Sequence, residues 1–213
     1  MLALPRFYPI LDAELVARRG LSLAETAQAM RDAGVTLLQY RDKTAPPATI
    51  LRNADLIRAI FADSCTLILD DRADLAALAG WHGVHVGQLD LSPAGARAVM
   101  GQGIIGLSTH TDDQLRAGES ALAAIAGPSY LAIGPVFATS TKLNPDPVVG
   151  LDGVRRARSL TTRPLVAIGG ITRATAPAVL AAGATSIAVI SDALGTTAED
   201  TRIRCADWLA LLQ

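Results

Sequence analysis

The chain has 213 residues, half of them hydrophobic but only 4% aromatic, with a formal net charge of −1. That length carries one large core, and the Ala, Leu, Val and Ile that must fill it suit an α/β protein whose strands are covered on both faces. The even charge balance excludes a basic surface for nucleic acid or an anionic membrane, so an anionic ligand has to be held by local positive charge.

Short apolar runs alternate with Ala-rich amphipathic stretches from one end to the other. The pattern predicts strands over 7–11, 37–40, 66–69, 84–86, 104–107, 130–133, 165–168 and 186–190. Helices are predicted over 22–33, 48–62, 72–79, 92–100, 111–126, 151–159, 173–182 and 198–212. Ser22 followed by Glu25 forms a capping box, and Gly34, Gly80 and Gly183 stand where helix C-terminal caps belong. Eight βα units without a composition break predict one domain over 1–213, a parallel (β/α)8 TIM barrel. The count of eight, and the lack of an early Gly-x-Gly-x-x-Gly turn, favour the closed barrel over an open doubly wound sheet. The polar, Pro-containing stretch 139–150 is too long for an ordinary βα turn and reads as a mobile active-site loop.

Barrel chemistry collects at the C-terminal ends of the strands. Polar residues concentrate there: Gln39, Arg41 and Lys43, then Asp70, Asp71 and Arg72, then Gln88 and Asp90. Ser108, Thr109 and His110 follow the fifth strand, Thr139 to Lys142 the sixth, Gly169 and Gly170 the seventh, and Ser191 and Asp192 the eighth. Alternation puts Gln39, Arg41 and Lys43 on one side, suited to an oxyanion such as diphosphate, although a strand end with solvated charges has the same pattern. Carboxylates from two adjacent strand ends suit Mg²⁺, while an acidic residue before Arg72 also suits a helix start. Thr139, Ser140, Thr141 and Lys142 have the composition of a phosphate clamp or of a plain polar loop. Gly169 and Gly170 admit backbone N–H groups close to a phosphate, or simply make a tight turn.

His82 and His85 flank a strand without a partner nucleophile, and His85 is expected to pack within the barrel. His110 has no carboxylate at a fixed spacing, and Trp81 and Trp208 read as packing. Cys65 and Cys205 fit no metal or redox spacing and read as incidental thiols of a reduced cytosolic protein. Residues 1–6 lack the pattern of a signal peptide, and the apolar runs stop short of membrane length, so the expected location is the cytosol. The sequence leaves a homo-oligomer open.

From Tyr8 to about Leu194 the chain resembles thiamine phosphate synthase. The resemblance is carried by 38–43 (LQYRDK), 70–76 (DDRADLA), 83–88 (GVHVGQ), 105–110 (IGLSTH), 134–137 (GPVF) with 139–142 (TSTK), and 167–171 (AIGGI). Six such motifs in order at matching strand ends are highly specific. The resemblance implies a Mg²⁺-dependent transferase of thiamine biosynthesis. It condenses hydroxymethylpyrimidine diphosphate with hydroxyethylthiazole phosphate and releases diphosphate. It further implies that Gln39, Arg41 and Lys43 hold the pyrimidine diphosphate and that Asp71 and Asp90 ligate the metal. Ser108 and Lys142 would bind the departing diphosphate. Thr139, Thr141, Gly170, Ile190 and Ser191 would receive the thiazole phosphate.

One position departs from the pattern, since the family usually has Asn where this chain has Asp70. That additional carboxylate would join the metal or repel the diphosphate. Two rival readings remain, a thiazole tautomerase-like isomerase and a barrel that binds thiamine phosphates without catalysis. The tautomerase pattern has a histidine where this chain has Pro135, and it needs no Asp71/Asp90 pair.

Overall fold

A computed structural model describes residues 2–139 and 146–213. Eight strands form a closed barrel: β1 (Phe7–Asp12), β2 (Leu37–Arg41), β3 (Thr66–Asp70), β4 (Gly83–Val86), β5 (Ile104–Thr109), β6 (Ser129–Ile133), β7 (Leu165–Ile168) and β8 (Ser186–Val189). Each pairs in parallel with its chain neighbour, and β1 closes the ring against β8 through Phe7–Ile187 and Tyr8–Ala188. The outer layer holds α1 (Ala13–Arg18), α2 (Leu23–Asp32), α3 (Pro47–Phe61), α4 (Ala73–Leu78), α5 (Pro93–Met100), α6 (Asp112–Ala123), α7 (Gly150–Leu160), α8 (Ala176–Ala181) and α9 (Ala198–Leu211). Among the described residues no helix is long and apolar enough to cross a membrane.

Alternation along the strands divides the core in two. One set of positions, including Tyr8, Leu37, Ile68, Tyr130 and Val166, fills the barrel interior. The other set, including Leu38, Leu67, Val84, Leu131 and Ile187, packs outward under the helices. This parity carries into the site, because the same inward positions at the strand ends face the cavity.

The helix ends follow the sequence closely. Ser22 Oγ accepts from the Glu25 amide, the forward half of the capping box. Gly34, Gly80 and Gly183 each donate their amide to a carbonyl three residues back, and the next residue bonds five back, closing α2, α4 and α8 in Schellman turns. Helix α1 has no counterpart in the sequence-based elements: six residues are too few for a period, and Asp12 starts the helix by accepting from the Leu15 amide. Trp208 stacks on Phe7 with centroids 5.5 Å apart, and seats α9 against the barrel.

Candidate active site

The carboxyl ends of the strands surround a cavity of about 640 Å³. Gln39, Arg41 and Lys43 of β2 and its following loop all line it, as their alternation predicts. So do Asp70, Asp71, Gln88 and Asp90 from the ends of β3 and β4, and Ser108 and His110 from β5. Thr139, Gly169, Gly170, Ile190 and Ser191 complete the far wall. Ser140, Thr141 and Lys142 lie outside the described residues.

Three rim positions are corrected. Thr109 points outward and its hydroxyl donates to the Ala132 carbonyl, since it has the opposite parity to Ser108. Arg72 makes a two-nitrogen pair with Asp74 instead of facing the cavity. Asp192 accepts from Trp208 Nε1 at 2.9 Å and faces Arg173, so it belongs to the seat of α9, and Trp208 does more than pack.

The cations are already engaged. Arg41 Nη1 donates to Asp12 Oδ2 at 2.5 Å, and Lys43 donates to Asp71 and stands 3.0 Å from Asp70. Burial alone would lower the Lys43 pKa, but the Asp70 and Asp71 carboxylates raise it above its usual value, so it is charged near neutral pH. Asp71 is pushed up to about 6, first by burial and then by the Asp70 charge. Asp90 lines the same basin, its Oδ2 accepting from the Gly87 amide at 2.8 Å. Asp71 is held at φ 60° while its amide donates to the His85 carbonyl at 2.7 Å. Asp tolerates that left-handed conformation better than most residues, and it turns the carboxylate into the rim.

The expected turn after β7 also has a steric reason. Gly170 has φ 62°, and a Cβ there would collide with the Ala138 carbonyl and Phe137 of the neighbouring loop. That loop is tied down by amides of Val149 and Gly150, which donate to the carbonyls of Pro135 and Val136.

Two histidines have partners that sequence spacing did not give. His110 donates from Nδ1 to the Gly134 carbonyl at 2.6 Å and has Asp146 3.5 Å from Nε2, so it does have a carboxylate, brought from another loop by the fold. His85 sits inside the barrel as expected, but its Nε2 lies 2.7 Å from Ser108 Oγ at the cavity floor. His82 accepts from the Leu67 amide, a structural role. Asp12 and Arg19 were also missed: Asp12 orients Arg41, and Arg19 binds the carbonyls of Ser191, Leu194 and Gly195, steadying the loop after β8.

A closed parallel barrel with charged groups from separate βα units around one basin defines a (β/α)8-barrel enzyme. The family model for thiamine monophosphate synthase matches residues 7–193. A thiamine-phosphate synthase from Koribacter versatilis is 49% identical over 214 residues, covering 99% of this chain and 97% of its own. One from Chloroflexus aurantiacus is 39% identical over 187 residues, covering 87% and 83%. The solved thiamine phosphate pyrophosphorylase from Pyrococcus furiosus superposes with a TM-score of 0.82 at 28% identity, covering 97% of this chain and 95% of that one. The chain belongs to the thiamine monophosphate synthase family, a family of transferases in thiamine biosynthesis.

Proposed function

We propose that this chain is a thiamine-phosphate synthase that joins the methylene carbon of 4-amino-2-methyl-5-hydroxymethylpyrimidine diphosphate to the ring nitrogen of hydroxyethylthiazole phosphate. Diphosphate leaves and thiamine phosphate forms. The observation that carries this reading is that Asp71 and Asp90, from two adjacent strand ends, line one basin with Arg41 and Lys43, and Lys43 donates to Asp71. A tautomerase has no use for that grouping.

The donor set fits Mg²⁺. Asp12, Asp70, Asp71 and Asp90 outnumber Arg41 and Lys43, and Asp71 and Asp90 offer oxygen ligands from adjacent strand ends. Among the described residues no group of three or more His, Cys, Asp or Glu is poised to hold a metal unaided. Mg²⁺ commonly takes only one or two carboxylates and completes its shell with water and substrate phosphate, so Asp71 and Asp90 suffice. When bound there, Mg²⁺ supplies Lewis-acid neutralisation of charge on the diphosphate.

The remaining work falls to the chain's own residues. Departure of diphosphate leaves a cation that the aminopyrimidine stabilises, so charge accumulates mainly on the leaving group. Lys43 and Arg41, together with Ser108 and Lys142, meet that charge where it develops, which lowers the barrier more than it strengthens ground-state binding. The attacking nitrogen carries no proton, so no general base is required. Backbone at Gly170, Ile190 and Ser191, with Thr139 and Thr141, is assigned to the thiazole phosphate, and the 139–150 segment excludes water that would trap the cation. A cytosolic location and small-molecule partners go with this reading. The test is to mix the purified chain with both substrates and Mg²⁺ and assay thiamine phosphate and diphosphate. Formation of neither would reject it.

A further inference from the structure

We propose that His85 is a positioning residue that makes Ser108 a hydrogen-bond donor toward the basin, because a one-way chain of hydrogen bonds from Gln39 through Tyr8 and Tyr130 leaves the imidazole a single tautomer. The tautomer stands on the chain's own geometry. Only the identity of the anion that Ser108 meets, the departing diphosphate, rests on the function proposed above.

The chain runs across the barrel interior. Gln39 Nε2 lies 3.3 Å from Tyr8 Oη, Tyr8 Oη 2.9 Å from Tyr130 Oη, and Tyr130 Oη 2.9 Å from His85 Nδ1. His85 Nε2 then lies 2.7 Å from Ser108 Oγ. The direction follows from counting hydrogens. An amide nitrogen only donates, so Tyr8 accepts from Gln39 and has one hydrogen to give. Among the described residues its remaining partner is Tyr130, which in turn has one hydrogen and gives it to Nδ1. Both phenols are buried, and a buried O–H without an acceptor is costly, so neither link is idle. His85 Nδ1 therefore accepts, Nε2 carries the proton, and Ser108 Oγ receives it. The Ser108 hydroxyl keeps its own hydrogen for the cavity that it lines.

Two further observations support a fixed chain. Burial raises both tyrosines well above their usual pKa, so both phenols keep their hydrogens under ordinary conditions. The backbone also makes room for the arrangement. His85 of β4, Gly106 of β5 and Tyr130 of β6 stand at one level of the sheet. A Cβ at Gly106 would overlap the Tyr130 phenol and His85 Nδ1. With glycine between them the two rings stack across the middle strand, 5.5 Å apart at 23°.

The experiment is a long-range ¹H–¹⁵N correlation spectrum of the full chain labelled at its histidine ring nitrogens. The expected result is a neutral His85 with Nε2 protonated and Nδ1 unprotonated. Tyr130→Phe removes the donor to Nδ1 and should release the ring into the other tautomer or a mixture. Tyr8→Phe, which leaves the Tyr130 hydrogen in place, should keep the tautomer of the parent chain. In the thiamine phosphate assay, Tyr130→Phe should lower kcat by roughly 10- to 100-fold, the worth of one hydrogen bond to a charged group, with KM for the pyrimidine diphosphate little changed. His85→Gln, which retains a fixed N–H, should keep more of kcat than His85→Ala. An Nδ1-protonated His85 in the parent chain overturns the proposal without any variant having to fold, and so does an unchanged tautomer in Tyr130→Phe. If the predicted tautomer is found but no thiamine phosphate forms, the functional reading fails and this one stands.

Discussion

Lys43 Nζ stands 3.0 Å from Asp70 Oδ2, yet that buried oxygen receives no aligned hydrogen bond. The ammonium is aimed at Asp71 instead, and Arg41 Nε remains 3.8 Å from Asp70. Asp70 is therefore held by charge proximity rather than by a directed contact, which is what an isosteric substitution alters least. Asp70→Asn keeps the shape and removes one negative charge from beside Asp71. Screened by two cations, that charge is worth on the order of 1 kcal/mol, so turnover should stay within about tenfold of the parent or rise. Steady-state rates with both substrates and Mg²⁺ measure this; abolished coupling would show that the site depends on the second carboxylate.

Asp71 is different, because its carboxylate accepts a directed hydrogen bond from Lys43. Asp71→Ala removes one of the two carboxylates that the proposed function assigns to Mg²⁺ and leaves Lys43 with Asp70 alone. The expected loss in kcat is on the order of 100-fold or more, the scale seen when one stabilising contact to developing charge is deleted. A chelator should produce a comparable loss in the unmodified chain. Full turnover in chelator would falsify the metal assignment.

The pH response of the interior has a defined sign. The folded pKa of His85, lowered to about 4 by burial, lies below the 6.5 of an exposed imidazole. Between those values the unfolded chain binds the proton that the folded chain refuses, so this group's stabilising contribution is complete above about pH 6.5 and is lost as pH falls toward 4. The full effect is on the order of 3 kcal/mol. Asp71 acts oppositely over part of that window, since its pKa is raised by burial and by Asp70, and its contribution fades as pH rises through about 6. Global stability therefore mixes the two, while the His85 ring resonances isolate one. They should remain those of a neutral imidazole at pH 5, and a midpoint near 6.5 would refute the buried, neutral ring.

Most of the architecture was legible because apolar alternation and rim polarity are local properties of a strand. Gln39, Arg41 and Lys43 alternate in sequence and line one wall in space. What spacing could not supply were contacts between separate βα units: Asp12 with Arg41, His110 with Asp146, His85 with Ser108. The last was recoverable in principle. His85 and Ser108 both occupy inward positions, two residues apart in level across adjacent strands, and parity assigned to β4 and β5 would have set them facing the same interior. Helix α1 was missed for another reason, since six residues held by one Asp12 cap carry no period to detect.

The level shared by His85, Gly106 and Tyr130 makes Gly106 a sensitive position. Gly106→Ala should force the two rings apart, and overpacking of this kind costs about 1–3 kcal/mol. Urea unfolding at pH 7.5 measures it, and a stability equal to that of the parent would mean that the rings yield freely.

Arg41 and Asp12 supply the last test, because the pair is both structural and part of the basin. The Asp12 side chain is only 2% exposed and accepts from Arg41 at 2.5 Å and from the Leu15 amide at 2.7 Å. Arg41→Ala removes the charged partner and leaves a buried carboxylate with one neutral donor. Stranding a charge in this way costs about 3 kcal/mol, more than the pair's own net contribution, because desolvation is no longer offset. Neutralising the stranded group should therefore recover stability. Asp12→Asn retains an oxygen for the α1 cap, so Arg41→Ala combined with Asp12→Asn should be at least about 1 kcal/mol more stable than Arg41→Ala alone, even though it carries one more substitution. Activity should not follow, since both variants lack the guanidinium that the proposed function assigns to the diphosphate. A double variant no more stable than Arg41→Ala in urea unfolding would mean that water or a neighbouring group reaches Asp12 once Arg41 is gone, and that the arginine serves the reaction alone.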